Sequence, residues 1–255
     1  MYQEHPVFND PDDGLVKIWR YFDFTKFVSL IQKKALFFSR ADKFKDPFEG
    51  SWTILDAEKR QDIRVNELRQ LNSTISDDDI GKALRNDSAY FKNIKKTTLI
   101  NSWHYNDSES AAMWKLFLKS NEGIAIQTTT ARFKDSFKHF PEPVYIGKVN
   151  YIDYERDKFY YPFNNTFVAF LHKRRAFEHE REYRAILSLD PNFIWDEEEN
   201  PYGKYIPVDV DLMIEKVYVS PGTPSWYTEL IVSMCEKYGL HKEVVPSGLN
   251  KKPIF

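Results

Sequence analysis

Segments with the two-residue period of strands and segments with helical spacing follow one another irregularly, and this order limits the fold more than any other feature. Near the N-terminus a strand at 15–22 precedes a helix at 24–34 and a strand at 35–39. Further strands are predicted at 97–103, 122–128, 144–151, 182–189, 205–210 and 214–219, and further helices at 111–119, 163–177 and 224–238. Because strands and helices do not alternate regularly, we expect an α+β fold with a mixed or mainly antiparallel sheet and flanking helices.

A long, charged and mostly helical segment at about 55–97 interrupts this order. It contains the stretch STISDDDIGKALR, in which Ser76 can cap a helix whose first turn is acidic. A chain of 255 residues with 42% apolar content can bury a sizeable core. We therefore predict a single domain over 1–255, with a helical insertion at about 55–97.

Composition argues against several classes of protein. The 36 basic and 38 acidic residues give a formal charge of -2, which is not the strong field of a nucleic-acid or membrane binder. Cys235 is the single cysteine, so an intramolecular disulfide and a thiolate-rich metal site are excluded. No basic and then apolar leader follows Met1, and no apolar run approaches the roughly 18 residues of a spanning helix. We expect a cytoplasmic protein with no membrane contact.

Charged side chains occupy every second position of 180–184, just before an apolar run. In a strand, Glu180, Glu182 and Arg184 share one face, while Tyr183 and Ala185 share the other face and meet the core. In one interpretation, the charged face meets water and its ions pair across strands. In the other, two carboxylates lie side by side at a cleft, where like charges raise the pKa of at least one and make it available as a base.

Two polar residues on other predicted strands are equally ambiguous. Arg20 lies in the apolar stretch IWRYF, where a guanidinium needs either a carboxylate partner or an anionic ligand. Ser102 in LINSWH either bonds a neighbouring carbonyl or serves a site, and His104 follows it without the flanking glycines of a hydrolase elbow. Arg40 and Asp46, in the loop at 40–50, either bind a ligand or lock the loop.

Metal chemistry has little support in the sequence. None of the six histidines has the helical pairing of a zinc protease, so we predict no zinc site. Mg²⁺ has possible oxygen ligands, which are Asp42, Asp46, Glu49, Glu180 and Glu182. The basic cluster at 173–175 either contacts phosphates or suits the C-terminal end of a helix. The nine glycines form neither the dinucleotide-binding fingerprint nor a P-loop.

Four stretches together resemble the bacterial family catalogued as domain of unknown function 2971. They are IWRYFDFTKFVSLIQKKALFFSRADKFKDPFEG, NSWHYNDSESAAMWKLFLKSNEGIAI, FEHEREYR and IEKVYVSPGTPSWYTELI. They occur in order over most of the chain outside 55–97. Members of that family are similar to proteins of prophages, abortive infection and toxin-like systems, so the resemblance implies such a setting here.

A more distant likeness is to the Arg-Ser-Glu class of ADP-ribosyltransferases, through Arg20, Ser102 and the Glu180-Arg181-Glu182 triplet. This likeness implies a split sheet and a cleft walled by strands. It also implies that Arg20 holds the phosphates of NAD and that Ser102 supports the nicotinamide ribose. Glu182 then bonds the ribose 2′-hydroxyl as the main catalytic residue, and Glu180 orients the acceptor. The sequence departs from that class where NSW replaces its Ser-Thr-Ser triplet.

The resulting functional prediction is an enzyme that consumes NAD as a substrate, without a metal, and transfers ADP-ribose to a nucleic-acid or protein acceptor or to water. Its predicted catalytic residues are Glu182 and Glu180, and the predicted NAD-binding residues are Arg20, Tyr21, Ser102, Arg40 and Asp46. Two alternatives stay open. One is a Mg²⁺-dependent nuclease or phosphohydrolase that uses the acidic residues as ligands. The other is a non-catalytic binding module in which the charged strand face is an ion-pair network.

Overall fold

The structure is a computed structural model that describes residues 1–8, 14–118, 122–159, 165–198 and 201–254. Its strands are β1 (Lys17–Asp23), β2 (Ala35–Arg40), β3 (Thr98–Tyr105), β4 (Gly123–Thr129), β5 (Tyr145–Lys148), β6 (Asn150–Ile152), β7 (His172–Arg174), β8 (Glu182–Ser188), β9 (Gly203–Pro207), β10 (Lys216–Val219) and β11 (Val244–Pro246). Its α-helices are α1 (Phe24–Lys33), α2 (Ile54–Leu71), α3 (Asp77–Thr97), α4 (Ala111–Phe117), α5 (Thr130–Asp135), α6 (Val210–Met213) and α7 (Ser225–Lys237).

The main sheet is mixed and mostly antiparallel, as the irregular order of elements predicts. Seven of its nine strands follow the order β11-β10-β4-β1-β3-β2-β9, and β8 and β5 extend from the other edge of β3. In this sheet β10 and β11 run parallel, and the other paired strands run antiparallel. A separate parallel pair joins β6 to β7. The α+β class with flanking helices is therefore confirmed.

Helix α1 illustrates how local sequence sets the boundaries of these elements. The Asp23 side chain caps its N-terminus by accepting a hydrogen bond from the backbone N–H of Lys26 at 2.9 Å. Helical spacing then places Phe27, Leu30 and Ile31 on the face that packs on the sheet. The helix ends at Lys33, and the left-handed backbone of Lys34 turns the chain into β2.

Helices α2 and α3 account for the helical segment predicted at about 55–97. They run side by side, and Arg64 Nε contacts Asp87 Oδ2 at 3.0 Å between them. Helix α2 buries Asp56 near its start, whereas α3 buries Ile80 and then Ile94 near its end. The pair is therefore attached to the sheet mainly through its two ends nearest to 54 and 97.

The helix predicted at 163–177 is wrong for the residues that the structure describes, while residues 163 and 164 lie outside them. The chain forms 3-10 turns at Thr166–Leu171 and Arg175–Glu180, separated by strand β7. Strand β7 pairs with β6 through the registers Asn150–His172 and Ile152–Arg174. This long-range pairing overrides the local helical pattern, because it satisfies backbone groups that a helix would otherwise pair internally.

Strand β3 has a gap in its pairing that sets the position of the site. One of its edges pairs with β8 from Thr98 to His104. The opposite edge pairs with β2 at 99–100 and with β1 at 104–105, so the registers leave 101–103 between the two partners. We call this opening the split; it is bounded by β1, β2 and residues 101–103 of β3.

Candidate functional site

Glu180 and Glu182 come together through a strained turn rather than through a continuous strand. Strand β8 begins at Glu182, and Glu180 ends the preceding 3-10 turn. Arg181, between them, has a φ of 43°, in the left-handed region that non-glycine residues rarely adopt. Its backbone carbonyl accepts a hydrogen bond from Tyr105 N–H at 2.8 Å, and its side chain donates to Asn106 Oδ1 at 2.8 Å. The turn is thereby fixed to the end of β3.

Arg184 is fully buried, and each of its N–H groups has an acceptor. Its Nε donates to Glu182 Oε2 at 2.6 Å, and Nη2 donates to Glu182 Oε1 at 3.1 Å. Both terminal nitrogens also donate hydrogen bonds to Glu49, with Nη2–Oε1 at 2.8 Å and Nη1–Oε2 at 2.9 Å. Nη1 makes a further bond to the Phe170 carbonyl at 2.7 Å. These contacts use all five donors of a guanidinium, and two carboxylates compensate its charge.

Lys173 connects the same carboxylates from β7. Its Nζ lies 2.8 Å from Glu182 Oε1, 2.7 Å from Glu180 Oε2 and 3.4 Å from Glu49 Oε1. The side chains of Lys173 and Glu182 are 9% and 6% exposed, whereas that of Glu180 is 15% exposed. Glu180 is thus the carboxyl of this group nearest to solvent. We call the five side chains Glu49, Lys173, Glu180, Glu182 and Arg184 the charge cluster.

The pKa values of two carboxyls in the charge cluster shift in opposite directions. Burial and the Glu182 carboxylate raise the pKa of Glu180 to about 7, against the opposing effect of Lys173. Burial would also raise the pKa of Glu182, but Arg184 and Lys173 outweigh it and hold that pKa well below its usual range. At neutral pH Glu182 is therefore ionised, while Glu180 is close to its midpoint.

The charge cluster corrects the first interpretation of the alternating strand. The charged face of β8 does not meet water, because Glu182 and Arg184 are buried. The loop that follows β2 covers it, with Glu49 as its buried contact. The acidic residues of this face therefore have their partners inside the protein.

The split holds two other predicted site residues. Arg20 is half-buried, and its Nη1 donates to Asn101 Oδ1 at 3.1 Å and to the Ser102 carbonyl. Desolvation lowers the pKa of Arg20 to about 10, and nearby Glu182 partly opposes this effect. No ion pair joins Arg20 to a carboxylate in the described part of the chain. Ser102 Oγ is buried and makes no hydrogen bond to any described residue.

Register places Ser102 on the face of the sheet that carries the charge cluster. Ser102 pairs with Arg184, and His104 pairs with Glu182, so the four side chains share one face. Tyr21, on β1, lies beside them, with its ring centroid 6.4 Å from that of His104. Its hydroxyl accepts a hydrogen bond from the backbone N–H of Ser110, which fixes the loop after β3. The structure thus brings Tyr21, Ser102, Glu180 and Glu182 to one face of the sheet. Arg20 extends from the other face, where it contacts Asn101 and the Phe22 ring.

Arg40 and Asp46 serve other contacts. Arg40 binds Asp42 through Nε and Nη2 at 2.9 and 2.8 Å, contacts Glu197 at 2.7 Å, and stacks on Trp195. Asp46 pairs with Arg174 at 2.8 Å and caps the turn that leads to Glu49. Both residues lock the loop at 40–50, which was one of the two interpretations that the sequence left open.

Three residues of the candidate site are not among the predicted catalytic and NAD-binding residues. Glu49 and Lys173 complete the charge cluster from a loop and from β7, and His104 faces Glu182 across the strand pair. The FKDPFEG stretch and the basic run at 173–175 were visible as charges. Their partners depend on pairings more than a hundred residues apart for Glu49 and Arg184. A two-residue period alone cannot supply that information.

Other features of the described residues add little to the site. No group of three or more histidine, cysteine or acidic side chains there has the arrangement of a metal site. A cavity of about 160 Å³ lies between α7 and β11, lined by residues such as Cys235 and Val244. It is separated from β3 by β10, β4 and β1. Among the helices of the described ranges, none is long and apolar enough to cross a bilayer.

Comparison with known proteins gave no match to this chain, whether with protein-family models, with curated proteins or with solved structures.

Proposed function

We propose that this protein is an NAD-consuming enzyme of the ADP-ribosyltransferase type, which transfers ADP-ribose to an acceptor or to water. A toxin or phage-defence effector is the setting that its resemblances imply. The observation that carries the proposal is Arg20, a half-buried cation in the split without a carboxylate partner. Its Nη1 bonds the backbone carbonyl of Ser102, and Glu182 acts on its pKa. The unpartnered hydroxyl of Ser102 lies on the other face of the sheet, the face of Glu182.

Arg20 has the properties of an anion-binding group. A guanidinium removed from water without a counter-charge is costly, and its partners here are an amide oxygen and a carbonyl. Its Nε and Nη2 groups have no partner among the described residues and can bind two oxygens of a phosphate side by side. The pyrophosphate of NAD supplies such oxygens. The alternative of a structural salt bridge for Arg20 has no support in the described contacts.

Glu182 has the charge that cleavage of the nicotinamide–ribose bond requires. This reaction passes through an oxocarbenium-like state in which positive charge develops on the ribose. A carboxylate that stays ionised and fixed stabilises that charge without reorganising. Arg184 and Lys173 keep Glu182 ionised and hold both of its oxygens. A ribose hydroxyl therefore approaches Glu182 from the side of Glu180, the most exposed carboxyl of the charge cluster.

Glu180 suits the second role in the reaction. With a pKa of about 7 it is ionised in part of the molecules at neutral pH and can accept a proton from an attacking hydroxyl or water. The proton that it carries otherwise can bond Glu182. The acceptor, whether nucleic acid, protein or water, then meets the ribose from the solvent side.

A second candidate function is a non-catalytic binding module. The observation that favours it is the complete hydrogen bonding of Arg184, which is also what a purely structural ion-pair network needs. Among the described residues, no contact specifically favours the metal-dependent nuclease, since Glu180 and Glu182 are bound to Lys173.

The test measures nicotinamide release from NAD⁺ by the purified protein in EDTA, with and without RNA, DNA and cell lysate. The Glu182→Gln and Arg20→Gln variants are compared with Glu215→Gln, which removes an acid paired with Lys17 elsewhere on the sheet. We expect the parent protein and Glu215→Gln to release nicotinamide. In Glu182→Gln and Arg20→Gln the rate of release should fall at least about a hundredfold. Circular dichroism and urea unfolding verify that each variant is folded. No release by the folded parent under any condition contradicts the proposal and favours the binding module.

A further inference from the structure

The indole of Trp226 is exposed in the first turn of α7. Trp226 is 54% exposed, and its ring meets that of Tyr227 edge-on. Four of the other tryptophans are buried or half-buried, and each donates its indole N–H to an acceptor of the chain. The N–H of Trp226 has no acceptor among the described residues. Trp226 therefore presents an apolar ring and an unused donor, a combination that is enriched in contacts between proteins.

The cavity between the C-terminal end of α7 and β11 has the size of an aromatic ring. Its volume is about 160 Å³, and a cavity of roughly 150 Å³ accommodates one benzene ring. Its apolar walls are Val232, Leu240, Val244 and Cys235. Burial raises the pKa of the Cys235 thiol to about 11, so the thiol is neutral at pH 7 and acts as a polarisable apolar wall.

Two charged side chains give the same cavity the chemistry of an indole site. Glu236 and Lys242 also line it, and neither forms an ion pair with a residue in the described ranges. A carboxylate can accept the N–H of an indole, and an ammonium can lie over its π face. The cavity thus combines apolar walls, an acceptor and a cation, which are the three partners that a buried tryptophan uses.

The Trp226 of the same chain does not reach this cavity. Trp226 and Cys235 lie near opposite ends of α7, about 13 Å apart along its axis. If α7 of a second copy runs antiparallel to this one about a two-fold axis, its first turn lies against the last turn here. The same axis places Trp226 of this chain against the cavity of the copy, so the contact forms twice. The exposed Ser233, between the two ends, is small enough for the helices to approach closely.

We propose that the protein forms a two-fold symmetric dimer through α7, in which Trp226 of each copy fills the cavity between α7 and β11 of the other. The indole donates its N–H to Glu236 of the other copy, and Lys242 of that copy lies over the ring. Because the contact closes on itself, assembly stops at two copies. One helix and one cavity bury less area than a standard interface, so the dimer is weak, with a Kd of about 10 µM. This dimer is independent of the proposed function.

Sedimentation equilibrium of the full chain, from about tenfold below to about tenfold above that Kd, measures the association. Trp226→Ala removes the indole, and Val232→Phe fills the cavity from an exposed position of α7. Each should weaken the dimer at least about tenfold, with circular dichroism verifying the fold. Leu116→Ala, which removes an exposed apolar side chain from α4, is the control and should leave the association unchanged. A parent chain that stays monomeric, or a dimer that tolerates either change in α7, overturns the proposal.

Mixing the two variants separates the proposed fit from a general effect of the substitutions. A mixed dimer joins Trp226 of the Val232→Phe chain to the open cavity of the Trp226→Ala chain, so one of the two contacts returns. We expect the equimolar mixture to associate more strongly than either variant alone, and equal association contradicts the fit. Free indole is the competitor and should dissociate the parent dimer without unfolding it. Indole that binds a chain that is monomeric at every concentration identifies a small-molecule site and overturns the dimer.

Discussion

Arg184 shows why β8 carries charge on a face that the fold buries. Its guanidinium joins the loop acid Glu49, the strand acid Glu182 and the Phe170 carbonyl, so one side chain connects three segments of the chain. Removing one member of such a buried pair lowers the free energy of unfolding by more than the intact pair contributes to it, because the remaining charges stay desolvated. The charge cluster thus connects three segments of the chain and also keeps Glu182 ionised.

Arg184→Met should therefore destabilise the protein strongly. It leaves Glu49 and Glu182 with Lys173 as their remaining cation, and we expect a loss of about 3–5 kcal/mol in the free energy of unfolding. The matched control is Arg175→Met, which removes an exposed pair with Asp157 and should cost at most about 1 kcal/mol. Urea unfolding measures both. Similar losses in the two variants would show that Arg184 does not hold the three segments together.

Ser102→Ala should separate stability from function. The change removes a buried hydroxyl without a partner, so the free energy of unfolding should stay level or rise by up to about 1 kcal/mol. Ser136→Ala is the control, because that buried hydroxyl donates to the Phe133 carbonyl at 2.7 Å and its loss should cost about 1 kcal/mol. Under the proposed function, Ser102→Ala also releases nicotinamide more slowly than the parent. A clear destabilisation by Ser102→Ala would indicate a structural hydroxyl.

The raised pKa of Glu180 predicts a specific pH dependence of stability. The folded state keeps the Glu180 proton up to a pKa of about 7, whereas the unfolded chain loses it near 4.5. Between these values the native state binds more protons than the unfolded state, so this contribution falls as the pH rises and is constant above about 7. The lowered pKa of Glu182 has the opposite effect: its contribution to stability is present at neutral pH and is lost only in acid.

Urea unfolding of the parent and of Glu180→Gln across this range measures the effect. The variant has no titrating proton, so its stability relative to the parent should increase from pH 4.5 to pH 7. A relative stability that does not change with pH would mean that Glu180 titrates normally in the folded protein.

At the scale of elements, the turn at Arg181 determines how the two glutamates meet. A non-glycine residue with a φ of 43° stores backbone strain of about 1–2 kcal/mol, which the surrounding contacts must hold. Arg181→Gly should relieve this strain and offset the lost bond to Asn106, leaving stability within about 1 kcal/mol of the parent. Arg181→Val should be destabilising by more than that, because a β-branched residue resists this conformation.

Lys34 provides the control for Arg181, since it has the same left-handed conformation at the end of α1, away from the charge cluster. Lys34→Gly should stabilise the protein by up to about 1 kcal/mol without any effect on the pH dependence caused by Glu180. The measurements are thermal unfolding and the pH dependence of stability, and the Arg181 variants are compared with Lys34→Gly in both. If Arg181→Val matches Arg181→Gly in both, the turn does not position the glutamates.

For the whole molecule, the sequence predicts elements better than it predicts their partners. Strand periodicity and the Asp23 cap place β1 and α1 to within two residues at each end, because those signals are local. The helix predicted at 163–177 is wrong because β7 pairs with β6, which no local pattern reveals. Likewise Arg20, Ser102 and Glu182 could be chosen by residue type, but the split in which Arg20 meets the Ser102 carbonyl arises from the switch of β3 between two neighbours.

The pair of helices α2 and α3 gives the last prediction, at the scale of the molecule. Most of α2 is half-buried or exposed, with Asp56 buried near its start, and α3 packs on the sheet side mainly through Ile94 and its end. Arg64 and Asp87 face each other across the pair, so residues 65–86 can be replaced by a helix–helix loop of about 2–5 residues. We expect the shortened chain to keep its fold, with one cooperative unfolding transition and the same pH dependence from Glu180. Leu99→Ala, in the fully buried part of β3, is the comparison and should cost about 2–5 kcal/mol. If the shortened chain unfolds as easily as Leu99→Ala, the outer part of the helical pair is part of the core and not an insertion.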